Sequence, residues 1–163
     1  MATRRSVLFG VGAAVLAAGA GGVVWMRNAG RPDGAFAVSL SEEEWRERLT
    51  DAEYAVLRKG GTELAFSSPL HEEDRSGVYH CAGCDQPIYD AATKFHSPSG
   101  WPAFTAPLDD TVGTRPDPRV AGLTTEVYCA RCGSHLGHVF DDGPPPTGKR
   151  HCINGVAMRF EAA

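Results

Sequence analysis

The side chains best suited to chemistry are five cysteines, and their spacing divides them into four and one. Cys81 and Cys84 form one Cys-x-x-Cys pair, Cys129 and Cys132 a second, and Cys152 stands alone in Arg150-His151-Cys152-Ile153-Asn154. Two such turns can present four thiolates to one tetrahedral zinc ion, a closed site that is structural because it leaves no open position for substrate. Gly83 and Gly133 permit the tight backbone these turns need. Two disulfides or a redox-active pair are the competing uses of the same residues. The 44 residues between the pairs exceed a compact zinc ribbon, so the whole fold must bring them together.

Cys152 sits beside Arg150 and His151, whose charges would favour its thiolate and make it nucleophilic. Taken by itself, a lone cysteine is more often a small buried hydrophobe. Its company points to chemistry. His135-Leu136-Gly137-His138 supplies two imidazoles with Asp142 downstream, the materials for delivering protons to an oxygen leaving group. Gly100-Trp101-Pro102-Ala103-Phe104 offers an aromatic wall in Trp101 and Phe104. A thiolate, protonated histidines and a small apolar cage suit a substrate with a methyl on one side of a sulfur and an oxygen on the other. Core packing is the alternative for the two aromatics, and a structural role for either histidine.

Short elements must position these groups. Ser41-Glu42-Glu43-Glu44 and Thr50-Asp51-Ala52-Glu53 are capping-box patterns, predicting one short helix through Trp45 and Leu49 and another carrying Tyr54, Val56 and Leu57 until Gly60-Gly61 stops it. From Val78 the pattern changes to short apolar or alternating pieces bounded by Gly, Pro or Asp: 78–80, 87–89, 120–123, 126–129, 138–140 and 153–160. These predict a mainly β fold of two small antiparallel sheets with short N-terminal helices and a four-cysteine zinc staple. Gly143-Pro144-Pro145-Pro146-Thr147-Gly148 reads as a stiff turn into the strand that bears Cys152.

Residues 1–30 resemble an export leader: Arg4 and Arg5 precede an apolar run to Met26, the layout of a twin-arginine signal. An ordinary secretory signal or a retained N-terminal membrane anchor are the alternatives, since the run is long enough to span a bilayer. Residues 31–38 read as a linker and 39–163 as one domain. Without the leader the 16 basic residues fall to 13 against 20 acidic ones, which disfavours nucleic acid as a partner.

Taken in order, Cys81-x-x-Cys84, Lys94-Phe95, Gly100-Trp101-Pro102-Ala103-Phe104, Thr125-Glu126-Val127, Cys129-x-x-Cys132, His135-Leu136-Gly137-His138-Val139-Phe140, Asp142-Gly143-Pro144, Pro146-Thr147-Gly148 and Arg150-His151-Cys152-Ile153-Asn154 resemble the type B methionine sulfoxide reductases. The resemblance runs from about Ser39 to Phe160. It implies a β-tent-like fold with structural zinc and reduction of the R epimer of methionine sulfoxide, mainly in oxidised proteins. By position, Cys152 would be the nucleophile and His138 and His135 the proton donors, tuned by Asp142 and Arg150. Trp101 would wall the substrate methyl and Asn154 would orient by hydrogen bonding. A zinc-stapled binding module would need neither Cys152 nor His138, and a zinc hydrolase would need an open metal position.

Ser99 stands where many members of that family carry a resolving cysteine, and the other four cysteines are assigned to zinc. The cycle expected is therefore a single-cysteine one, with an external thioredoxin-like dithiol reducing a Cys152 sulfenic acid. His96 and Gly155 also depart from the family's usual aspartate and serine. With the leader, this places the activity in the periplasm or on the outer face of the membrane.

Overall fold

The computed structural model describes residues 36–119 and 124–163. The leader, most of the linker and the strand expected over 120–123 lie outside the described residues.

Helices α1 (Glu42–Arg48) and α2 (Asp51–Leu57) form where the capping boxes predict them. Glu44 N donates to Ser41 Oγ at 3.2 Å while Ser41 N donates to the Glu44 carboxylate at 2.7 Å, and Thr50 with Glu53 repeats the arrangement. Each helix has seven residues, too few to persist on backbone bonds alone. Burial of Trp45, Tyr54, Val56 and Leu57 against the sheets holds them.

The strands are β1 (Gly77–Cys81), β2 (Pro87–Asp90), β3 (Lys94–Phe95), β4 (Ala103–Phe104), β5 (Val112–Asp117), β6 (Thr124–Cys129), β7 (His135–Phe140), β8 (Arg150–Ile153) and β9 (Met158–Ala162). They make a three-stranded sheet, β2-β1-β9, and a six-stranded sheet, β3-β4-β8-β7-β6-β5, in which neighbours run antiparallel. The two sheets and short helices agree with the expected fold class.

Strand assignments change in two ways: one expected strand is divided, and β3, β4 and β5 form outside the expected segments. The stretch expected as one strand over 153–160 is two: β8 ends at Ile153, a 3₁₀ turn covers Gly155–Ala157, and β9 enters the other sheet. Hydropathy continues across the break because Ile153, Ala157 and Met158, on both sides of it and within it, are buried, which is why the pattern hides the turn. Conversely, β5 is a strand that the pattern does not predict. Its Gly113 and Pro116 disguise it, but β5 is an edge strand, where proline is tolerated. Gly113 is required because a Cβ there would lie 2.3 Å from the ring of Tyr128, its cross-strand partner.

An aromatic stack joins the sheets. Phe104 of β4 stacks on Tyr89 of β2 at 4.3 Å between ring centroids and meets Tyr79 of β1 edge-on at 4.9 Å. All three are fully buried. Phe104 therefore belongs to the core rather than to the expected substrate wall. Its replacement by alanine should cost about 3–5 kcal/mol in denaturant unfolding of the metal-loaded protein; a loss below about 1 kcal/mol would mean that the stack is not what joins the sheets.

Candidate active site and metal centre

Directly paired residues of antiparallel strands point to the same side of a sheet. Arg115 pairs with Glu126, Glu126 with His138, His138 with Cys152, and Cys152 with Ala103. One line across β5, β6, β7, β8 and β4 thus carries cation, carboxylate, imidazole and thiol on one face. Alternation sends His151 to the opposite face, where its Nδ1 lies 3.0 Å from the buried Tyr89 hydroxyl. Burial pushes His151 down to about 4, so at neutral pH it is uncharged. It cannot favour the Cys152 thiolate by charge, which corrects the expectation based on adjacency.

His135 and His138 are three apart, a spacing that alternation would place on opposite faces. A register shift in β7 prevents this: Val127 pairs with Gly137 but the next residue, Tyr128, pairs with His135. The extra residue, Leu136, bulges the strand and turns His135 towards His138, with ring centroids 5.3 Å apart. The Leu136 carbonyl accepts from both the backbone N and Nδ2 of Asn154, each at 2.9 Å. Asn154 thus supports the bulge beneath the histidines.

Each imidazole meets a carboxylate. His135 Nδ1 lies 2.8 Å from Glu126 Oε1 and His138 Nε2 lies 2.8 Å from Asp117 Oδ2. Burial raises the Glu126 carboxyl, but hydrogen bonds from His135 and Arg115 outweigh it and hold the group at about 2. Burial likewise lowers His135 against the pull of Glu126. An ionised carboxylate only accepts, so His135 Nδ1 carries the hydrogen, and its buried Nε2 has no partner among the described residues.

The Cys152 thiol is half-buried, and burial pushes its pKa up while Ser99 and Arg150 oppose the rise. Ser99 Oγ lies 3.8 Å from Cys152 Sγ. Arg150 shares the Cys152 face and is gripped by Asp142, with Nε to Oδ1 at 2.9 Å and Nη2 to Oδ2 at 2.8 Å. Trp101 is half-buried in the turn after Ser99, its Nε1 donating to Glu63 O at 3.2 Å.

Glu63, Asp117 and Glu126 join the site without having been singled out by residue type or spacing. Glu63 binds four groups at once: its amide donates to Asn154 Oδ1, its carbonyl accepts from Trp101, and its carboxylate accepts from Gly155 N and Val156 N at 2.6 and 2.9 Å. Gly155 fits here because a Cβ would sit 1.9 Å from Ser68 Oγ. His96 is exposed and pairs with Asp74 at 3.1 Å. Only Glu126 carries a signal, its place in the Thr125-Glu126-Val127 motif; Glu63 and Asp117 act through pairings that no local pattern encodes.

At the end of β1 and in the β6–β7 turn, the sulfurs of Cys81, Cys84, Cys129 and Cys132 all lie within 4.8 Å of one another. Cys81 to Cys132 is 3.8 Å and Cys84 to Cys129 is 3.6 Å, so no disulfide joins them. A tetrahedral ion with bonds of about 2.3 Å to sulfur requires edges of about 3.8 Å. The residues therefore fit a four-sulfur metal ion. The two turns are equivalent, each with a left-handed residue after its second cysteine, Asp85 in one and Gly133 in the other. Gly83 is needed for another reason, since a Cβ there would approach Ser134 Oγ at 3.0 Å.

The SelR domain matches residues 49–162. Peptide methionine sulfoxide reductase MsrB of Methanosarcina barkeri is 50% identical over 77% of this chain and 89% of its own length. The Pseudomonas putida enzyme of the same name is 50% identical over 73% and 90%. The chain belongs to the type B methionine sulfoxide reductases. It spans 61% of the rice chloroplastic peptide methionine sulfoxide reductase B1, at 45% identity.

The Glu126 shift makes stability depend on pH. Its carboxyl is lower folded than unfolded, so the contribution is complete above about 4.5 and lost as pH falls towards 2. Glu126→Gln should lower stability at neutral pH by an amount on the order of 3 kcal/mol, and the gap from wild type should close over that window. Unfolding curves of the two proteins at several pH values check it, and a gap that widens as pH falls would contradict the assignment.

Proposed function

We propose that the chain reduces the R epimer of methionine sulfoxide, mainly in oxidised proteins, through a sulfenic acid on Cys152, with an external thioredoxin-like dithiol as reductant. The cross-strand pairing of His138 with Cys152 is the observation that carries this reading, because it sets a proton donor beside a thiol on one face. In the first step a bond forms between Cys152 sulfur and the sulfoxide sulfur while the thiol proton passes through the imidazole of His138 or His135 to the oxygen. The bond between the two sulfurs then breaks as the hydroxyl leaves the substrate sulfur for Cys152: thiol and sulfoxide become sulfenic acid and thioether, with no net gain of protons. In the second, a dithiol reduces the sulfenic acid, giving water and the partner's disulfide.

Trp101, in the turn that holds Ser99 against Cys152, is proposed to wall the substrate methyl. Asp142 orients Arg150, which opposes the rise in the thiol's pKa. Asn154 acts at one remove, by supporting the β7 bulge. A cycle without a resolving cysteine is supported by composition: the other four cysteines are buried together in one cluster, and it is Ser99 whose Oγ lies 3.8 Å from Cys152 Sγ. The four sulfurs would hold zinc, which supplies structural cross-linking and takes no part in either step. Residues 1–30 are proposed to direct export of the folded domain by a twin-arginine-type route, on the strength of Arg4-Arg5 and the apolar run after them.

The test uses separated epimers of a methionine sulfoxide peptide and a dithiol reductant. The R epimer should be consumed, and Cys152→Ser should reduce turnover to background while retaining one zinc per chain. His138→Ala should lower kcat by about 10²–10⁴. After one turnover without reductant, a sulfenic acid probe should label Cys152. Consumption of the S epimer alone, or an intramolecular disulfide to Cys152 in the metal-loaded protein, would overturn the respective parts of the proposal.

A further inference from the structure

Asp117 and Arg119 have no catalytic role in the proposed reduction, yet the polar contacts of both histidines lead to them. Asp117, at the end of β5, has a side chain only 2% exposed and meets His138 Nε2. Arg119 grips Asp117 from two residues on, with Nε to Oδ1 at 2.8 Å and Nη2 to Oδ2 at 2.9 Å, and its amide donates to Oδ1 at 3.0 Å. Arg119 Nη2 also lies 3.6 Å from Glu126 Oε1, the oxygen that meets His135. One guanidinium thus spans the carboxylates of both histidines. It crosses Gly60, where a Cβ would lie 1.5 Å from Nη1, so the end of α2 leaves room for it.

Other charged or titratable groups around His138 are already engaged. Glu126, its neighbour on β6, is held by His135 and Arg115; His135 meets His138 edge-on; Cys152 flanks it on β8. Arg150 is paired with Asp142. Asp117 is the carboxylate left for His138.

We propose that Asp117 and Arg119 form a clasp that positions His138 for proton transfer. Asp117 accepts from Nε2, which leaves Nδ1 as the nitrogen that exchanges a proton with the substrate oxygen, and Arg119 fixes Asp117 while tying it to the Glu126–His135 pair. Both are positioning residues, acting through His138. This rests on His138 being the proton donor in the proposed reduction.

The experiment combines kinetics with nitrogen NMR of the histidine rings in the full, zinc-loaded chain. Asp117→Ala removes the acceptor and should lower kcat about 100-fold with KM within about twofold. Asp117→Asn, which keeps the shape and carries the test if the alanine variant does not fold, should lower kcat about tenfold. Arg119→Ala should reduce kcat, with partial recovery in Arg119→Lys. In a His138→Ala background neither Asp117 variant should have a further effect. The wild-type spectrum should show neutral His138 protonated at Nε2, with that preference lost in Asp117→Ala. Equal losses from the Asp117 substitutions with and without His138, or a wild-type His138 protonated at Nδ1, would overturn the clasp. The ring spectrum does not depend on turnover, so failure of the reductase reading and failure of the clasp give different results.

Discussion

The four clustered sulfurs at the sheet junction constrain both sheets and, through them, the position of the strand that bears Cys152. Cys81 closes β1 in the three-stranded sheet, whereas Cys129 closes β6 in the six-stranded one, so one ion would bridge the sheets. Four thiolates this close repel one another without a cation, and the metal and the folded arrangement are therefore coupled. The second turn also fixes where β7 starts. His135 is its first residue, three beyond Cys132, and Arg58 of the preceding helical segment donates to the Cys132 carbonyl at 3.1 Å. The four-sulfur cluster thus sets the phase of the strand that carries both histidines.

That phase would be wrong without the bulge at Leu136. A regular strand would send His135 to the face occupied by Gly137 and Ile153, away from His138. At the bulge the Leu136 carbonyl keeps its backbone bond from Asn154 N and takes a second one from Asn154 Nδ2. Asn154 in turn accepts from Glu63, whose carbonyl receives the Trp101 indole. The backbone irregularity, the 3₁₀ turn between β8 and β9 and the placement of Trp101 therefore form one connected set of hydrogen bonds. Buried polar groups left unpaired there would cost about 1–3 kcal/mol each, so these features stand together.

Local signals are legible where they act over a few residues. The capping boxes specify both helices, and paired cysteine spacing anticipates the sulfur cluster that the structure assembles. Residue adjacency misleads where alternation governs. His151 neighbours Cys152 in sequence but faces Tyr89, and Phe104 lies near Trp101 in sequence but enters the core. Parity assigns both once β8 and β4 are recognised as strands, since Phe104 pairs directly with His151. Glu63 and Asp117 are not legible, because their partners lie 91 and 21 residues away and nothing in their local sequence marks them.

Burial raises the pKa of the Cys152 thiol, which at first sight argues against a nucleophile. The proton balance of the proposed reaction removes the conflict. Thiol plus sulfoxide gives sulfenic acid plus thioether without a proton from solvent, so a site that stores the proton on sulfur and passes it through an imidazole to oxygen begins in the correct state. Ser99 fits the same account. Its hydroxyl, 3.8 Å from the thiol, eases the cost of a thiolate by hydrogen bonding but cannot form a disulfide. Oxygen in place of sulfur at that position keeps the electrostatic support of the thiolate and, in the proposed cycle, would leave the second half to an outside thiol.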